Sequence, residues 1–146
     1  MTDQQTAQHC ADRMYAADRA SQDLGVRIKV TAPGAVTAEM TIRPGMLNGF
    51  DICHGGYIFT LADTAFAFAC NAYDNLTVAA AASIEFLHPA REGDRLTADA
   101  AEIHRSGRSG LYDVVVRNQH GEQVAVFRGR AHATGKPLLA GKSDTQ

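Results

Sequence analysis

The sequence predicts an α+β fold: one buried helix wrapped by a long antiparallel sheet, with a second helix capping it at the N-terminus. Three observations predict it. Tyr57–Tyr73 is an almost wholly apolar, alanine-rich run without Gly or Pro, long for a strand and well suited to a helix. Four β-type runs follow, Thr77–Leu87, Arg95–Arg105, Leu111–Asn118 and Val124–Ala133. The last three are joined by short Gly-containing connections, at Ser106–Gly110 and at His120–Gly121, of the kind that makes antiparallel hairpins.

The N-terminal stretch Gln5–Gln22 is rich in Ala, Gln, Arg and Met, and Gly25 stands just past its end, which reads as the capping helix. Val26–Thr31 and Val36–Ile42 flank a Pro33–Gly34 turn and form a hairpin. Arg43–Gly56 is a loop containing Pro44, Gly45, Asn48, Gly49, Gly55 and Gly56. The apolar run after it is near the shortest length that spans a bilayer, and Asp63 lies near its middle. A charge there would cost several kcal/mol in lipid, so the helix is expected inside a protein core, away from any membrane. From Gly135 onward, Gly, Lys, Ser, Asp and Thr predict a disordered tail.

The 146 residues suit one domain, 1–146, with its core over about 24–135. A hydrophobic content of 45% and a charged content of 21% predict a proper core. A formal net charge of −2 argues against nucleic-acid binding. Cys10, Cys53 and Cys70 form no CxxC pair, and Met1–Ala7 has no basic and apolar signal regions. Reduced thiols in the cytoplasm are the expectation. Cys53 and Cys70 read as small buried hydrophobes. The six histidines show no HxH, HxxxH or His–Cys spacing, so no metal is expected.

Two features carry chemistry. Asp63 is the one charged residue of the apolar helix. It is either an internal carboxylate satisfied by neighbours such as Thr60 or Thr64, or a reactive group facing a cleft. Cys53–His54–Gly55–Gly56 immediately precedes the helix. Its glycines either permit a tight turn or let a ligand approach helix-entry N–H groups, which suit a developing oxyanion.

Together these pieces are more specific. Met46–Leu47–Asn48–Gly49, Cys53–His54–Gly55–Gly56 and Leu61–Ala62–Asp63–Thr64–Ala65–Phe66–Ala67 closely resemble the phenylacetate-pathway (PaaI-type) hotdog thioesterases. The likeness continues through Ile84–Pro89, Gly110–Asp113 and Phe127–Gly129. It implies a hotdog fold, a dimer or dimer of dimers, and hydrolysis of acyl-CoA esters, often aryl or arylacetyl. Coenzyme A would then be part of the substrate, and no cofactor is expected. By position, the resemblance makes Asp63 the nucleophile or general base and the Gly55 N–H the donor to the thioester carbonyl. Asn48 and His54 would shape the cleft and orient water or thioester, with Gly56 and Thr64 also touching substrate. Arg105, Ser106, Gly107 and Arg108, at a hairpin turn, would meet CoA phosphates, or else form a solvated tip. Some relatives carry a water-positioning Ser or Thr where this chain reads Ala79–Ala80–Ala81–Ala82, with Ser83 as the nearest hydroxyl.

Spacing adds one expectation of its own. Asp63 lies seven positions after Gly56, or about 10 Å along a helix rising about 1.5 Å per residue. One helix therefore does not bring its own carboxylate to its own entry amides, and the site is expected between antiparallel helices of two subunits. Two other readings compete. A hotdog dehydratase would use His54 with the acidic helix residue, but its loop typically reads HFPGxP where this chain has HGGY. A non-catalytic acyl-CoA sensor would be expected to carry a DNA-binding module and to lack Asp63.

Overall fold

A computed structural model describes residues 1–140. Helix α1 is Asp3–Ala17, α2 is Arg19–Asp23 and α3 is Gly55–Cys70; strands β1 to β6 are Arg27–Ala32, Ala35–Thr41, Thr77–Phe86, Arg95–Ser106, Ser109–Arg117 and Gln123–Ala133. The strand bounds fall within two residues of those expected from the β-type runs and the turns between them. The N-terminal segment differs, forming two helices instead of one. It starts early because Thr2 and Gln5 form a capping box, each side chain accepting from the other's backbone N–H. It breaks at Asp18, whose carboxylate accepts from the Ser21 N–H at 2.9 Å and its hydroxyl at 2.6 Å and so starts the second helix.

All six strands lie in one antiparallel sheet, in the order β1-β2-β4-β5-β6-β3. Strand β3 follows α3 in the chain but lies at the far edge, bonded to β6. Along β2, β4 and β5 every second side chain is buried: Val36, Ala38 and Met40; Leu96, Ala98 and Ala100; Tyr112, Val114 and Val116. That period of two aims one sheet face at α3. The helix buries Ile58, Leu61, Ala62, Ala65, Phe66, Phe68 and Ala69. Burying a side chain the size of Phe66 is worth about 2 kcal/mol. Gly129 makes room for it: a Cβ there would lie 2.7–2.8 Å from atoms of the Phe66 ring.

The helix is not covered all round within one chain. Gly56 is exposed, and Thr60, Asp63, Thr64 and Ala67, on the same stripe, are only partly buried. Strand β3 is uncovered too. Of its ten residues only Thr77 and Ile84 are partly buried, and the rest are exposed. Its second edge bonds to no strand among the described residues.

The end of the chain departs from the expected fraying at Gly135. Asp74 accepts from the N–H groups of Leu138 and Leu139 at 2.9 and 2.7 Å, and Arg13 donates to the Leu139 carbonyl at 3.0 Å. Asn75 accepts from the Gly135 N–H at 2.9 Å. These bonds tie the segment to the α3–β3 connection and to α1. The remainder of the expected tail, residues 141–146, lies outside the described residues.

Candidate active site

The loop before α3 closes on itself. Leu47 and Cys53 form an isolated antiparallel bridge, and the Asn48 N–H donates to the Ile52 carbonyl at 2.8 Å. The Asn48 side-chain oxygen accepts from the Phe50 N–H at 2.9 Å and from the Ile52 N–H at 3.4 Å. Its side-chain NH₂ has no partner among the described residues.

His54 is the N-cap of α3, in extended backbone, and its Nδ1 accepts from the Gly56 N–H at 2.9 Å. An Nδ1 that accepts carries no proton, so this cap requires the neutral ring with its hydrogen on Nε2. The helix therefore begins two residues earlier than the apolar pattern indicates. Capping also divides the two glycine amides. That of Gly56 is taken by His54, while that of Gly55, the first residue of the helix, has no partner among the described residues. It is an orphan donor at the positive end of the helix dipole. Beside it lies a cavity of about 360 Å³, lined by Asn48, Ile52, Gly55, Ile58, Phe86 and Leu87 among others.

Asp63 lies two turns into α3 on the uncovered stripe. The threonines that could satisfy it do not. Thr60 donates to the Gly56 carbonyl at 2.8 Å and Thr64 to the Thr60 carbonyl at 2.7 Å, both back along the helix. No hydrogen bond or ion pair to the carboxylate occurs among the described residues. Partial burial raises its pKa above the ordinary 3.8, because desolvation disfavours the charged form.

The predicted phosphate-binding turn stands at the opposite end of α3. Arg105, Ser106, Gly107 and Arg108 border a second cavity of about 290 Å³, with Cys70 and Tyr73 from the helix terminus. The two arginines differ. Arg105 lies over the Tyr73 ring, 3.5 Å from its centroid, with its Nε 3.9 Å from Glu102. Arg108 forms no ion pair among the described residues.

One chain thus brings Asn48, His54, Gly55 and Gly56 together, holds Asp63 and Thr64 mid-helix, and puts the Arg105–Arg108 turn at the far end. A 16-residue helix is about 24 Å long at about 1.5 Å per residue. Sequence reasoning gave no role to Phe86 or to the Glu102–Tyr73–Tyr112 cluster, although Phe86 and Tyr112 lie in segments that carry the family resemblance. The cysteines are buried and free. Burial pushes the Cys53 thiol up to about 11 and Cys70 up to about 12, and it raises Cys10 as well. No group of three or more metal-ligating side chains converges among the described residues. No helix among them is long and apolar enough to cross a membrane.

Comparison with known proteins identifies the family. Residues 50–125, just over half of the chain, match the thioesterase superfamily. The acyl-coenzyme A thioesterase PaaI of Escherichia coli is 44% identical over 125 residues, covering 86% of this chain and 89% of the relative. The solved E. coli PaaI, from the phenylacetic acid degradation operon, superposes with a TM-score of 0.90 at 42% identity, over 92% of this chain and 97% of that one. A thioesterase protein of Streptococcus pneumoniae, solved with coenzyme A, gives 0.73 at 26% identity, over 77% and 90%. The chain therefore belongs to the thioesterase superfamily, among its PaaI-type hotdog members, and is a thioester hydrolase.

Proposed function

We propose that this hydrolase acts on small acyl-CoA esters, aryl or arylacetyl esters such as phenylacetyl-CoA or hydroxyphenylacetyl-CoA among them, in sites shared by two subunits. The observation that carries the reading is the carboxylate of Asp63, half-buried with no partner among the described residues and with a raised pKa. An unpaired, partly desolvated carboxylate is a stronger base than an ordinary one, as removing a proton from water requires.

In the general-base form, Asp63 removes a proton from water as the hydroxyl oxygen bonds to the thioester carbon. The carbonyl electrons move onto oxygen, and the Gly55 N–H of the partner subunit donates a hydrogen bond to the resulting oxyanion. When the tetrahedral intermediate collapses, the C–S bond breaks and the sulfur takes the proton back from Asp63. The products are the free acid and coenzyme A, and no cofactor enters. In the nucleophilic form the same carboxylate bonds to the carbon, the C–S bond breaks, and the CoA thiolate leaves to be protonated by solvent. Water then cleaves the mixed anhydride to the free acid and restores Asp63. The free NH₂ of Asn48 is a donor for the thioester. Ser83, the hydroxyl nearest the alanine run, is exposed and pairs with Arg128 across β6. Thr64, adjacent to Asp63, is the better candidate for positioning water.

Two uncovered surfaces support the shared site. The edge of β3 is long, carries one charge, Glu85, and has no proline. Natural edges are normally shortened, charged or covered, so this one suits pairing with a second copy. The α3 stripe beside it is made of small and polar residues, which suits a close antiparallel crossing of two helices. Such a crossing brings Gly55 of one subunit toward Asp63 of the partner subunit and toward the cavity beside Arg108. Arg108, free of ion pairs, is the better phosphate ligand, since Arg105 is already committed to Tyr73 and Glu102. Three free, buried cysteines fit a reducing cytoplasm.

Thiol release from a panel of acetyl-, hexanoyl-, benzoyl-, phenylacetyl- and palmitoyl-CoA tests the reading. Highest kcat/KM on the aryl or short esters is expected. A preference for palmitoyl-CoA would reject the substrate class.

A further inference from the structure

The cavity beside the start of α3 contains an aromatic side chain to which the reaction as described gives no role. Phe86 ends β3, and its ring packs against Gly55. A Cβ built on that glycine would lie 3.0 Å from Cζ and 3.2 Å from Cε1 of the ring. Glycine at 55 therefore leaves room for this ring as well as an open amide. Yet Phe86 is 53% exposed, although a phenyl side chain gains most when fully covered. The exposed part of the ring borders the cavity, whose other walls are mostly apolar, Ile52, Cys53, Ile58, Leu87 and Ala90 among them, with Asn48 and His88 as the polar exceptions.

Geometry connects the ring to the substrate. A carbonyl oxygen accepting from the Gly55 N–H sits about 3 Å from that nitrogen, so the acyl carbons next to it must lie beside the Phe86 ring. The cavity volume of about 360 Å³ is at the small end of the usual range for ligand sites, about 300–1,000 Å³. We infer that Phe86 is the specificity-determining residue of this hydrolase. Its ring closes the acyl end of the site, offering a stacking surface to aryl and short acyl groups and blocking longer chains. This rests on the reading of Gly55 as the donor to the thioester carbonyl.

The test uses the full chain as wild type, Phe86→Ala and Phe86→Leu, with kcat/KM measured on hexanoyl-, phenylacetyl- and decanoyl-CoA. Native mass spectrometry follows assembly in parallel. Discrimination in an apolar pocket runs at about tenfold or more per blocked methylene. The ratio of decanoyl to phenylacetyl activity should therefore rise at least about tenfold in Phe86→Ala and by less in Phe86→Leu. Leucine preserves an apolar strand end, so it still reads the effect if the alanine variant fails to fold. A ratio unchanged within about twofold in the folded variants overturns the inference. So does a loss of oligomer with the ratio unchanged, which would make Phe86 a packing residue between copies. A wild type inactive on every ester removes the parent reading too, and that failure is recognisable because it does not depend on Phe86.

Discussion

Two partly buried carboxylates in this chain are treated in opposite ways. Glu102, on β4, accepts from the hydroxyls of Tyr73 and Tyr112, each at 2.8 Å, with the Arg105 Nε at 3.9 Å. Burial, together with those bonds to Glu102, pushes the Tyr73 phenol up to about 12 and Tyr112 higher still, so both remain donors at any physiological pH. Asp63 has no donor at all among the described residues. A fold that supplies two phenols and a guanidinium to one acid can satisfy buried charge where satisfaction serves stability. Leaving the other acid bare costs the folded state something, and the proposed mechanism gives that bare acid its use.

The contrast breaks most sharply at Asp63 itself. Asp63→Asn should lower kcat at least about a hundredfold on the best substrate, since the amide keeps the shape but cannot accept the proton. Its thermal midpoint should equal or exceed that of the wild type, because an unpaired charge has been removed from a partly desolvated position. Wild-type turnover, or a clear loss of stability, would place Asp63 with Glu102 as a fastener. The reverse pattern is expected for Glu102→Ala. The Tyr112 hydroxyl, in a residue only 1% exposed, loses its acceptor, and denaturant melts should show about 2 kcal/mol of lost stability. Turnover of the folded fraction should fall far less than in Asp63→Asn; an equal fall would move Glu102 into the chemistry.

Mixed dimers sharpen the comparison by asking where the partner of Asp63 resides. Asp63→Asn and Gly55→Pro are each expected to be inactive. Proline is favoured at the first position of a helix, although here its ring meets Phe86, so circular dichroism must first confirm folding. Equal amounts reassembled at random should recover about a quarter of wild-type activity, because half the dimers then hold one intact site of two. Subunit exchange shown by mass spectrometry without recovered activity would place both groups in one chain.

The smallest expected effect is in pH. In the proposed mechanism the active form of Asp63 is the carboxylate, so activity should fall as pH drops through its raised pKa, and the acidic limb of kcat/KM should lie above the ordinary 3.8 of aspartate. The sign for stability is opposite. A folded pKa above the unfolded one favours the protonated native state at low pH, and that contribution disappears as pH rises through the folded value. An acidic limb at or below 3.8 would contradict the desolvated environment.

Much of this was legible in the sequence because the relevant signals are local. Runs of β-type residues bounded by turns located every strand, and Asp63 stood out as the only charge in an apolar run. The hidden parts depend on contacts distant in sequence. The apolar pattern missed Gly55 and Gly56 as helical, since glycine is a poor helix former and only the His54 cap draws them in. Hairpin signals report pairings between neighbours, so nothing placed β3 beside β6. Phe86 against Gly55 and Glu102 between two tyrosines are likewise non-local. The order in residues 135–139 is set by Asp74 and Asn75, more than fifty positions upstream, while their composition alone points to fraying.

Asn71 joins the two uncovered surfaces into one. Its NH₂ donates to the Ala67 carbonyl at 2.9 Å and to the Thr77 carbonyl at 3.0 Å, and its oxygen accepts from the Thr77 N–H at 2.9 Å. A single amide, 4% exposed, thus closes the last turn of α3 and anchors the first residue of β3. Helix stripe and strand edge are consequently one stiff plate, and a second copy that settles on either must settle on both. In the proposed shared-site arrangement both surfaces are covered together, so at decreasing enzyme concentration specific activity should decline along a single dissociation curve.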